Sequence, residues 1–77
     1  MIIGIENECG CTLYANKVKG GAIFRGTSAA KAAAVMQQEP DYEEGDRRSQ
    51  LYTISDRAFD IFCSKAVASG YRLALKL

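Results

Sequence analysis

The side chains of this chain that could take part in chemistry fall into three groups. The first is Cys9-Gly10-Cys11, two thiols with one residue between them. Thiolates at that spacing can ligate zinc or exchange disulfides. A closed zinc site takes four ligands, and the 77-residue chain offers three cysteines and no histidine. The expectation is therefore a pair of thiols without metal or redox work, and no metal or cofactor is expected. The second group is acidic: Glu39, Asp41, Glu43, Glu44 and Asp46, followed at once by Arg47 and Arg48. Carboxylates around Gly45 faintly resemble a calcium loop, but their spacing is not that of an EF-hand. A solvated acidic loop, or one that docks on a basic surface, fits better. The third group is basic: Lys17, Lys19, Arg25 and Lys31, with Tyr14 and Phe24 among them. Cations interleaved with aromatics can hold a phosphate backbone and stack bases.

No set of residues assembles into a catalytic centre. The absence of histidine removes the commonest general base and the commonest metal ligand together. There is no glycine-rich phosphate loop with a lysine, no serine elbow and no Cys–His pair. Paired carboxylates occur only in the acidic stretch, where nothing fixes their separation. The expectation is a protein that is not an enzyme.

Composition narrows the class further. Hydrophobic residues make up 48% and charged residues 25%, the balance of a folded domain, and the length suits one compact domain spanning residues 1–77. A net charge of +1 sets up no field to draw the chain to nucleic acid or to an anionic membrane. No apolar run reaches membrane-spanning length. The opening Met1-Ile2-Ile3-Gly4-Ile5-Glu6 lacks the basic and long apolar regions of a secretory signal. Three cysteines in that setting point to reduced thiols in the cytoplasm.

The strongest element lies over residues 55–70, read as a helix. Ser55 can accept from an unpaired amide of the first turn, and Ile54 and Phe59 occupy staple positions. Phe59, Phe62, Cys63, Ala66 and Val67 recur at helical spacing as one buried stripe. Gly70 suits the left-handed residue that closes a helix. Ahead of it, residues 1–8, 11–18 and 22–25 read as strands separated by turns at Asn7–Gly10 and Lys19-Gly20-Gly21, an antiparallel meander. Cys11, Leu13 and Ala15 share one face of the second strand, and Thr12, Tyr14 and Asn16 the other. Thr27 or Ser28 can cap an alanine-rich helix over residues 29–38, stopped by Pro40. Residues 39–49 read as an acidic loop, Leu51-Tyr52-Thr53-Ile54 as a short strand, and residues 71–77 as a last, half-buried strand.

The order β-β-β-α-(β)-α-β defines an α+β fold: a small antiparallel or mixed sheet with both helices on one face. The other face would present Tyr14, Thr12, Glu6, Arg72 and Lys76 to water or a partner. From this follows the expected function, a small non-enzymatic protein-binding module that works by charge complementarity. Its expected contact residues are Glu43, Glu44, Asp46, Arg47, Arg48, Tyr14 and Arg25. Its expected partner is a host protein or nucleoprotein complex, with no membrane. In size and class alone the chain resembles small phage and mobile-element inhibitors of host machines, anti-CRISPR proteins included. The alternative is a nucleic-acid-binding module using Lys17, Lys19, Arg25 and Lys31. A structural homodimer is the second alternative, because so small a core gains from a second copy.

Overall fold

Short strands and two helices make this molecule, with positive-φ glycines at Gly10, Gly20, Gly45 and Gly70 in the turns between them. A computed structural model describes residues 1–75, and the side chains of all of these except residues 46–48, 74 and 75. The elements run β1 (Ile2–Asn7), β2 (Thr12–Val18), β3 (Gly21–Arg25), α1 (Thr27–Val35), β4 (Asp41–Glu43), β5 (Asp46–Ser55), α2 (Asp56–Ala68) and β6 (Tyr71–Leu75). The six strands form one sheet in the order β4-β5-β3-β2-β1-β6, antiparallel at every pairing. The α+β class, the meander and the pairing of the last strand with it are as the sequence implies.

Register explains which face is covered. Ile5 stands opposite Leu13, Ile3 opposite Ala15 and Phe24 opposite Tyr52. Partners in an antiparallel pair point the same way, so these side chains share one side of the sheet. Both helices lie there. α1 packs on β2, β3 and β5, α2 packs on β3, β5 and β6, and the two helices touch. Phe24 is the hub: its ring meets Phe62 edge-on at 5.0 Å and Tyr52 at 5.9 Å. Ala29, Ala32 and Ala33 of α1 are fully buried against this layer, which their small side chains allow.

α2 starts where Ser55 accepts a hydrogen bond from the Ala58 amide at 3.2 Å, and Gly70 follows it at φ +93°. Phe59, Phe62 and Ala66 are buried, with Cys63 half-buried. Val67, expected on the same stripe, is 59% exposed. It sits in the last turn of α2.

Three other expectations are corrected. α1 begins at Thr27 rather than Ala29, without a side-chain cap; Gly26 holds the cap position at φ +62°. It also ends at Val35, short of the expected Gln38. Gln37 turns left-handed at φ +56°, and the Gln38 amide returns to the Ala33 carbonyl at 2.8 Å. This is a Schellman closure, formed before Pro40 is reached. Most of the expected acidic loop at 39–49 is a hairpin: Asp41–Glu43 pairs with the start of β5 around a Glu44-Gly45 turn, with Gly45 at φ +78°. The four-residue strand 51–54 is accordingly the end of a ten-residue one. All of β4 is exposed, so it carries no apolar alternation by which a strand could be read.

Candidate functional site

The uncovered side of the sheet is set by the other half of each alternating strand. Ile2 stands opposite Asn16, Gly4 opposite Tyr14 and Glu6 opposite Thr12; Asn16 is in turn opposite Ile23, and Ile23 opposite Thr53. Among the described residues, no helix covers these positions. Ile2 is 41% and Tyr14 49% exposed.

The face is dented near its middle, for a reason that begins in the backbone. β2 and β3 pair only from Val18 opposite Gly21 to Asn16 opposite Ile23. β3 then continues along β5 alone, as far as Arg25 opposite Leu51. The gap left beside Tyr14 is filled from α1: the buried Ser28 hydroxyl accepts the Tyr14 amide at 2.8 Å. The Gly26 amide donates to the Gln50 carbonyl at 2.9 Å, tying the strand-to-helix corner to β5. Gly26 is needed there because its positive φ strains any residue with a Cβ. The result is an open concavity of ≈ 430 Å³ lined by Ile2, Tyr14, Asn16, Ile23, Arg25 and the 26–28 corner.

Charge is distributed along the same face. Among the described residues, the stretch from Ile2 and Tyr14 through Asn16 to Ile23 is uncharged. At one end Arg25 Nε lies 3.9 Å from Glu43 Oε1; at the other Arg72 Nη2 lies 3.1 Å from Glu6 Oε1. Both pairs are exposed, so each contributes little to stability and its charges stay available to a partner. Tyr14, Arg25 and Glu43 are thus brought to one region, with Glu44 exposed in the turn beyond. The side chains of Asp46, Arg47 and Arg48, expected to join them, lie outside the described residues, as does Lys76. Ile2, Asn16 and Ile23 were not among the expected contact residues, although alternation with Tyr14 and Phe24 points to their face.

The basic group does not converge. Lys17 stands opposite the buried Ala22, on the helix side, where its ammonium pairs with Asp56 and lies 5.9 Å from the Phe59 ring centroid. Lys31, on α1, reaches the Thr12 carbonyl at 3.5 Å. Lys19 is exposed in the turn before β3, and Arg25 is on the open face. Phe24, expected to stack beside them, is fully buried in the core.

The thiols stand apart from this face. Cys9 and Cys11 are exposed in the β1–β2 turn, where Asn7 Oδ1 accepts both of their amides, at 3.0 and 3.1 Å. Burial, and secondarily the charge of Asp60, raise the pKa of Cys63. All three cysteines are free, and among the described residues no three metal-ligating side chains converge. Among them also, no helix is long and apolar enough to cross a membrane.

Compared with protein-family models, with curated proteins and with solved structures, the chain matches none.

Proposed function

We propose that this chain is a non-enzymatic protein-binding module that recognises its partner through the uncovered sheet face. One observation carries the reading: a six-stranded sheet with both helices on one side leaves a dented face with an apolar, aromatic and amide middle and charge at both ends. Burial of an aromatic anchor within a polar rim is how protein interfaces gain both affinity and specificity. Tyr14 is the anchor here, with Ile2 and Ile23 beside it. Arg25, Glu43 and Glu44 form the rim that orients the partner. An apolar side chain entering the dent, with a basic group set to meet Glu43 and Glu44, describes the surface this face would take.

Inhibition of a host nucleoprotein complex is one form of this reading. The acidic hairpin supports it, because Asp41, Glu43 and Glu44 are exposed together and would compete for a basic surface. A cytosolic setting is consistent with three unpaired thiols. Nucleic acid as the direct ligand has less support, since the four cations that would serve it are spread over the helix side, a turn and the open face.

A photo-crosslinking residue placed at position 14, and in a parallel protein at position 61 on the exposed side of α2, tests the assignment in cells. Crosslinking of one protein from position 14 and not from position 61 is expected. Crosslinks to nucleic acid from position 14, or to the same protein from position 61 alone, would overturn the assignment.

A further inference from the structure

The two edges of the sheet are built differently. β4 is three residues long, fully exposed, carries Asp41 and Glu43, and shifts register on β5 between Tyr42 and Glu43. Shortness, carboxylates and a bulge all discourage an edge from accepting another strand. β6 has none of these. Its five residues pair regularly with β1, from Asn7 opposite Tyr71 to Ile3 opposite Leu75, and Arg72 is its one charge. Alternate residues of β6 turn their amides and carbonyls away from β1, and among the described residues no strand lies beyond them. Leu73 is 52% exposed although its cross-strand neighbour Ile5 is fully buried. Val67, on the helix that packs against β6, is also exposed.

We propose that β6 is the interface with a second copy of this chain, the two β6 strands pairing antiparallel about a two-fold axis at Leu73. Two six-stranded sheets then join into one. The register argues for a copy rather than a foreign strand. With Leu73 opposite its symmetry mate, Arg72 falls opposite Ala74 and Tyr71 opposite Leu75. Arg72, the one charge among the described residues of the strand, therefore stands opposite an alanine position, and the half-exposed Leu73 side chains cover each other. A register centred on Arg72 would instead set two guanidiniums side by side. This contact lies at the sheet's edge and leaves the dent around Tyr14 open, so it stands independently of the function proposed above.

Sedimentation equilibrium of the full chain, from micromolar to millimolar concentration, tests it. The expected result is a concentration-dependent monomer–dimer equilibrium, with β6 amides gaining hydrogen-exchange protection as the dimer fills. Leu73→Lys and Leu73→Glu should each weaken the dimer roughly tenfold or more, because symmetry counts every substitution twice. Mixing the two variants should restore a heterodimer, which also shows that each is folded. Tyr14→Lys should dimerise as the unaltered chain does. A single-chain mass throughout the range would overturn the proposal. So would a dimer that survives Leu73→Lys and is lost in Tyr14→Lys.

Discussion

The two faces of this sheet are made by the same strands from alternate residues, yet they are under different demands. On the covered face Phe24, Phe62, Leu13 and Ile5 are sealed from water and fit one another closely. On the open face Ile2, Tyr14 and Ile23 stay wholly or partly accessible, and the charges are paired only loosely across solvent. The first face stores the stability of a chain with few core residues; the second contributes little to stability and so is free to be selected for recognition. Ser28 joins the two, because it belongs to a helix of the covered side and holds an amide of the strand that displays Tyr14.

That contrast can be broken at graded cost. Phe62→Ala removes the ring that touches both Phe24 and Phe59, and should cost about 3–5 kcal/mol in urea unfolding. In so small a domain that leaves much of the population unfolded. Ser28→Ala leaves the Tyr14 amide without its acceptor and should cost about 1–3 kcal/mol. It should also lower partner affinity, since the dent loses one wall. A loss of stability with unchanged affinity would show that the two faces are uncoupled at Ser28. Tyr14→Ala and Arg25→Ala should each move stability by no more than about 0.5 kcal/mol while impairing partner binding. The thiols give a gentler probe. Cys9 and Cys11 should alkylate rapidly in the folded chain, and Cys63 slowly. Because burial holds the Cys63 thiol protonated, its rate should rise only at a higher pH than that of an ordinary thiol. Equal rates for all three, measured by mass spectrometry, would show that the helix opens readily.

Much of the covered face was legible from spacing. Phe59, Phe62 and Ala66 announced a stripe, Ser55 a start and Gly70 a stop, and each does that work. Leu13 and Ala15 likewise declared their side by alternation. What escaped was carried by other signals. β4 is exposed throughout, so its pairing depends on a glycine turn and backbone hydrogen bonds rather than on burial. The early end of α1 comes from a left-handed glutamine, a conformation that glutamine rarely adopts. The dent on the open face arises where β2 and β3 part, and no local pattern in either strand records a separation between them. Of the expected contact residues, Tyr14, Arg25 and Glu43 do come together. The basic group did not, because Lys17 and Arg25 fall on opposite sides of the sheet, and proximity in sequence does not carry across that division.

Recognition through the open face is decided by affinity capture from a lysate of the cell that makes the protein, under nuclease, with three baits: the unaltered chain, a Tyr14→Lys and Arg25→Glu double variant, and an Ile61→Lys variant altered on the exposed side of α2. The expected result is one protein or complex held by the unaltered chain and by Ile61→Lys, resistant to nuclease, and lost from the double variant. Retention by the double variant, or disappearance with nuclease, would contradict it.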